Sequence, residues 1–259
     1  MRFAAQNIQG PVRAVAAFLA AAVVAVVAPG SAEARLLKRL DYDSGNFGQW
    51  FQRQALPGGA KVIRSPRIQG RYAARFLVGP GDDPLGASGE RAEVMAYTGE
   101  RSGKVSWWKW STLFPRGFTV GRHWWNVFTQ WHHSGDSGIP PIQFAVDNYG
   151  RRPMLRLIVN GGHLYGDRGS FQRDYSLGPL RRGRWLTFVF HVKWSPQRRG
   201  GFVEVWRNGR KVVGLKRVPT LYYGRFVYVK QGFYRGPTGW SSVVYHDGMR
   251  RFSRKPALR

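Results

Sequence analysis

The stretch Tyr228-Val229-Lys230-Gln231-Gly232-Phe233-Tyr234 carries a cation and two phenols at even spacing. In an extended strand alternate side chains share a face. Tyr228, Lys230 and Tyr234 then point the same way, and Gly232 leaves open space between the last two. Two other stretches follow the same rhythm. Arg91-Ala92-Glu93-Val94 alternates charged and apolar residues, with Met95 and Tyr97 continuing the charged side. In Trp125 to His132, Asn126, Phe128, Gln130 and His132 fall on one side, and Val127, Thr129 and Trp131 fall with Trp125 on the other. Each set has an ordinary explanation. Arg91 and Glu93 can be a wet surface ion pair, His132 a structural histidine, Lys230 and Tyr234 exposed residues. Together they place a cation, an amide, an imidazole and a phenol on one kind of sheet face. That combination can hold a carboxylate and move a proton.

The elements that must position these residues are strands. Helical periodicity is absent outside the N-terminus, and Gly and Pro punctuate the chain at short intervals, the pattern of an all-β sandwich or barrel. Strands are predicted over residues 68–78, 90–97, 104–114, 124–133, 142–147, 154–160, 185–194, 202–206, 211–215, 228–234 and 242–247. Trp185 to Trp194 is apolar on both faces and reads as a central, covered strand. Asn208-Gly209 is a tight-hairpin signal between its neighbours. Gly161 to Gly183 reads as a long connection, and the basic tail Met249 to Arg259 as a solvated end.

The three polar strands resemble the signature strands of jelly-roll polysaccharide lyases, a group that includes alginate lyases, glucuronan lyases and heparin lyase I-type enzymes. Phe188 to Pro196 (FVFHVKWSP) and Gly201 to Gly209 (GFVEVWRNG) resemble the heparin lyase I-type and glucuronan lyase branch. Gln231 and Phe233 depart from alginate lyases, which usually carry smaller residues there. The resemblance implies a concanavalin-like β-jelly-roll sandwich of two antiparallel sheets with a concave substrate cleft. It implies β-elimination on a uronic acid residue with no essential cofactor. Arg91, Gln130 and His132 then neutralise the carboxylate. Tyr234 transfers protons, tuned by the charge of Lys230, and His132 is the rival base. Lys230, Asn126 and Tyr228 line the substrate, and Glu93 orients Arg91. The competing expectation is a noncatalytic lectin-like module that binds acidic glycans.

Composition agrees with an anionic partner. The chain has 41 Lys and Arg against 14 Asp and Glu, a formal charge of +27. Such a field attracts polyanions, although a general preference for arginine would produce part of it. Cysteine is absent, which excludes thiol catalysis and disulfides. No Glu-x-Asp-x-Glu cluster suited to a retaining glycosidase is present. His132-His133 lacks partners at metal-ligand spacing. No nucleotide-binding loop occurs, and the tryptophans fall at core positions, so no specific nucleic-acid partner is expected. Residues 1–34 have the layout of a secretory signal peptide: Arg2 and Arg13, an apolar run from Ala14 to Ala28, then Ala32-Glu33-Ala34. The apolar run is shorter than the about 20 residues of a membrane span. The expectation is a secreted monomer, residues 35–259 forming one domain without a membrane anchor.

Overall fold

Among the described residues, fifteen strands form from these alternating segments. The computed structural model describes residues 1, 33–86, 89–121, 125–135, 138–148, 150 and 152–258. Residues 2–32, most of the segment expected to be a signal peptide, and Trp124 at the start of one predicted strand, lie outside the described residues. One sheet contains β1 (Leu36–Leu40), β3 (Ala60–Ile63), β4 (Ala73–Val78), β6 (Val105–Leu113), β11 (Trp185–Lys193), β12 (Phe202–Arg207), β13 (Arg210–Arg217) and β15 (Ser242–Phe252). Its order is β13-β12-β11-β6-β15-β4-β3, with β1 also on β15. The other contains β2 (Gln52–Gln54), β5 (Glu90–Glu100), β7 (Asn126–His133), β8 (Ile142–Asp147), β9 (Met154–Gly162), β10 (Ser170–Pro179) and β14 (Val227–Arg235). Its order is β10-β9-β8-β7-β14-β5-β2. The strand pairs named above are antiparallel throughout.

The sheets close on an aromatic core. Trp108, Trp110, Trp131 and Trp194 are fully buried. Trp110 stacks on Phe188 at 5.4 Å and meets Phe144 edge-on at 4.8 Å. Burial of each such side chain stabilises the fold by about 1.5–3 kcal/mol, so the core needs no disulfide. From β11, Leu186, Phe188, Phe190 and Val192 all enter it, and β11 lies between β12 and β6. Asn208 (φ 49°) and Gly209 (φ 82°) make the turn between β12 and β13 with both residues left-handed, the backbone that such a hairpin requires.

Three expectations change. Gly161 to Gly183 contains β10, an edge strand on β9. It was hidden because Phe171, Tyr175 and Leu177 alternate with Gln172, Asp174 and Ser176 and are themselves interrupted by Arg173, the charged pattern of an edge. The basic tail is not solvated throughout. Residues through Phe252 complete β15, and beyond them Pro256 is buried. Lys109 Nζ donates to the Ala257 carbonyl at 2.8 Å, and the Lys255 ammonium lies 5.0 Å from the Trp206 ring centre.

The third change concerns Gly232. It is buried, with φ at 150°. A Cβ there would overlap the Ala92 carbonyl oxygen and come within 2.7 Å of Glu93 Cα. The glycine is therefore required by the approach of β14 to β5, and the space beside it is filled by backbone. Gly232→Ala is expected to destabilise the protein by at least about 2 kcal/mol, seen as a lower urea midpoint. An unchanged midpoint would show that β14 can move away from β5.

Candidate active site

The sheet order puts β14 between β7 and β5, so the three polar stretches lie side by side. Tyr234 sits opposite Arg91, Lys230 opposite Gln130, and Tyr228 opposite both His132 and Tyr97. On β5, Ala92, Val94 and Ala96 enter the core, which leaves Arg91, Glu93 and Tyr97 on the outer face. On β14, Val229 and Phe233 enter the core, leaving Tyr228, Lys230 and Tyr234 outside.

Glu93 links the set. It is 1% exposed, with Lys230 at 3%, Arg91 at 6% and Gln130 at 1%. The Gln130 amide donates to Glu93 Oε1 at 2.6 Å. Arg91 Nη1 and Lys230 Nζ lie 3.7 and 3.6 Å from Glu93 Oε2. With both cations protonated, two positive charges face one negative charge at a nearly water-free position. Among the described residues, Arg91 Nε, Gln130 Oε1 and Glu93 Oε2 are buried with no hydrogen-bond partner. Buried polar atoms are normally paired, so the Arg91 N–H suits an acceptor such as a ligand carboxylate, and the two oxygens suit donors such as sugar hydroxyls. Burial makes Lys230 easier to deprotonate than an ordinary lysine, and Glu93 opposes that shift.

Arg91 also reaches Tyr234, its guanidinium carbon 4.1 Å from the ring centre. Lys230, expected to tune Tyr234, shares Glu93 Oε2 with Arg91. Trp125 lies on the other side of Tyr234, ring centres 5.8 Å apart.

His132 stacks on Tyr228 at 5.5 Å. Its Nδ1 is 3.0 Å from the His133 carbonyl. A carbonyl only accepts, so Nδ1 carries the proton and Nε2 keeps its lone pair. Burial, with the charges of Lys230, His133 and Arg91, pushes the His132 pKa down to about 4. The imidazole is neutral at pH 7. Burial and the Glu93 charge raise Tyr228 to about 12, which keeps its phenol protonated.

Asn126 departs from the expected face. Register shifts occur between Val127 and Thr129 against β8, and between Gln231 and Tyr234 against β14. The bulge brings both Phe128 and Trp131 into the core. Asn126 sits opposite Arg235, whose side chain turns toward the other sheet to bond Ser242 and the Val78 carbonyl. The Asn126 amide donates to the Val146 carbonyl at 3.2 Å. Asn126 thus faces inward, while Trp125 joins the outer face. Simple alternation misses both because one extra residue reverses every side chain beyond it.

Gln231 also faces inward, accepting the Tyr42 hydroxyl at 2.7 Å. Behind Gly232, His246 of β15 bonds the Gly232 carbonyl through Nε2 at 2.9 Å and Thr112 Oγ1 through Nδ1 at 3.1 Å. His246 is a supporting residue that sequence reasoning passed over. Its signal is weak, a lone histidine in an apolar strand.

Residues 42–250 match the family model for polysaccharide lyases, and the chain belongs to that family. It is a polysaccharide lyase on a jelly-roll sandwich, the fold expected from the three signature strands. Among solved structures, the endo-β-1,4-glucuronan lyase of the fungus Trichoderma reesei is similar, with a TM-score of 0.69 at 16% identity, over 85% of this chain and 96% of that one. An alginate lyase of a Chlorella virus gives 0.52 at 12% identity, over 85% and 100%. The catalytic domain of a glycoside hydrolase family 131 protein from Coprinopsis cinerea gives 0.57 at 12%, over 86% and 96%. A hydrolase among the neighbours shows that this sandwich alone does not fix the reaction. The curated proteins contain no match to the sequence.

The buried histidines predict a pH dependence. The pKa of His132 is lowered from 6.5 to about 4, and burial lowers His246 to about 3. Between these values and 6.5 the unfolded chain binds protons that the folded chain does not. Their contribution to stability is therefore present above about pH 6.5 and lost as pH falls. Asp247, raised to about 6 by burial, acts in the opposite sense. Comparison of the parent with His132→Gln isolates His132. The urea midpoint of the variant is expected to fall less between pH 7 and pH 5. Identical falls would show that His132 is not held neutral.

Proposed function

We propose that this lyase cleaves a uronic-acid-containing anionic polysaccharide by β-elimination, outside the cell that makes it. The observation that carries the reading is the buried cluster of Arg91, Lys230 and Gln130 around the single carboxylate of Glu93. Its surplus positive charge and the unpaired Arg91 Nε–H complement a uronate carboxylate, and the unpaired Gln130 Oε1 complements a sugar hydroxyl. Neutralising that carboxylate makes the C5 proton removable, because charge from C5 can then spread onto the carboxyl group.

A base takes the C5 proton, the electron pair forms the C4–C5 double bond, and the C4–O4 bond breaks. The departing O4 takes a proton. His132 is suited to the first transfer, since its neutral ring keeps the Nε2 lone pair. Tyr234 is suited to the second, as a partly exposed phenol at the end of the cluster. Lys230 and Arg91 hold the carboxylate, and Tyr228 forms a wall beside His132. The glucuronan lyase neighbour makes glucuronan the first polymer to assay, followed by alginate, heparin and heparan sulfate. The leader supports export. Protein recovered from culture medium is expected to begin at Arg35.

The reaction is read as ultraviolet absorbance from the unsaturated uronate. Tyr234→Phe is expected to lower turnover by roughly 10²–10⁴-fold with polymer binding retained, and Arg91→Ala by roughly 10²–10³-fold. Near-parental turnover in Tyr234→Phe removes Tyr234 from the proton path. Retained turnover in His132→Ala assigns both transfers to Tyr234. Absence of new absorbance on every uronate polymer overturns the substrate class, and binding without product selects the lectin-like alternative.

A further inference from the structure

A row of rings leaves the candidate active site and crosses three strands to the sheet edge. His132 on β7 stacks on Tyr228 of β14 at 5.5 Å. Tyr228 meets Tyr97 of β5 at 5.7 Å, and Tyr97 meets Phe51, just before β2, at 5.0 Å. Phe226 flanks Tyr97 at 6.4 Å. The row grows more exposed away from the site. Tyr97 is 50% exposed and Phe51 70%. Large rings in contact at this exposure bury little against each other and are poor material for stability alone. At its outer end lies a shallow, open surface depression of about 420 Å³, lined by Lys38, Trp50, Phe51 and Tyr97 among others. Lys38 stands on β1, so the depression combines an apolar wall from one sheet with a cation from the other.

We propose that Phe51, Tyr97 and Lys38 form a remote sugar-binding subsite at the sheet edge, which holds a uronate residue of the same polymer chain that Tyr228 and His132 contact at the cleavage site. The inference rests on the uronate reading given above. The rings offer apolar faces to the C–H face of a pyranose. Lys38 offers a charge to its carboxylate. Continuity supports one shared occupant, since the rings touch in sequence from His132 to Phe51. Tyr97 is four residues from Glu93, about 13 Å along β5, so the subsite serves a polymer and lies beyond the reach of the sugar being cleaved. Its function is to retain long chains and orient them across the strands.

The test uses the full-length chain with Phe51→Ala, Tyr97→Ala and Lys38→Gln made singly. All three side chains are exposed, and an unchanged melting temperature separates lost contact from lost fold. Calorimetric binding is measured in a Tyr234→Phe background, where turnover is suppressed, with polymeric glucuronan and alginate as probes. Phe51→Ala and Tyr97→Ala are expected to weaken polymer binding about fivefold or more. Lys38→Gln is expected to weaken it and to reduce its salt dependence. Turnover of the shortest oligosaccharide cleaved by the parent is expected to stay unchanged. Parental affinity in all three variants overturns the subsite while leaving the lyase reading intact. Subsite-dependent binding with no product overturns the uronate lyase reading and leaves the subsite standing. Neither binding nor cleavage of any uronate polymer overturns both.

Discussion

The close passage of β14 along β5 at Gly232 is the constraint around which the polar face is organised. Only hydrogen fits on the outer side of that residue, because the Ala92 carbonyl and Glu93 Cα occupy the space of a Cβ. The same approach brings Glu93 opposite Gly232 in register, within ion-pair distance of Lys230. On the inner side the Gly232 carbonyl turns toward the other sheet and accepts from His246. The strand is thus clamped from both sides at its midpoint. Lys230 and Tyr234 project from either side of the clamp, one toward Glu93 and Gln130, the other toward Arg91.

Electrostatics follows from this packing. Burying a charge costs several kcal/mol unless it is paired, and here three charges are buried around one amide. Pairing is incomplete by design of the count: one carboxylate serves two cations. The arrangement is tolerable because the surplus lies on a face that an anion can approach, and because Arg91 also spreads its charge over the Tyr234 ring. The same positive field, together with burial, keeps His132 neutral. A site that binds a carboxylate and a site that holds an unprotonated imidazole are therefore consequences of one cluster. The net positive surface of the chain extends the attraction outward, where it acts on polyanions over about a Debye length.

Much of this was legible in the chain before any coordinates. The period-two stretches identified β5, β7 and β14, and the residue types within them named Arg91, Gln130, His132, Lys230 and Tyr234. These signals are local, since a strand's alternation is carried by neighbouring residues. Asn126 was misplaced because a bulge in β7 is set by how that strand meets β8 and β14. Gly232 was read as clearance for a ligand, when its conformation answers to a strand that lies far off in sequence. The contact of Arg91 with the Tyr234 ring was missed for the same reason: Arg91 comes from β5, and only the register decides which cation lies opposite the phenol. β10 went unseen because an edge strand with charged residues looks like a loop until its partner is known.

The sequence by itself determined the strand-forming pattern, the aromatic core, the tight turn at Asn208-Gly209 and the set of polar residue types. It did so through side-chain alternation and backbone preference, which need no distant partner. Tertiary structure decided which strands lie side by side, where bulges reverse a face, and which of the candidate residues meet at Glu93. These depend on pairing register and sheet packing between separate strands. The aromatic row from His132 to Phe51 belongs to this second group, because its members come from four separate parts of the chain and become neighbours only when the sheet is assembled.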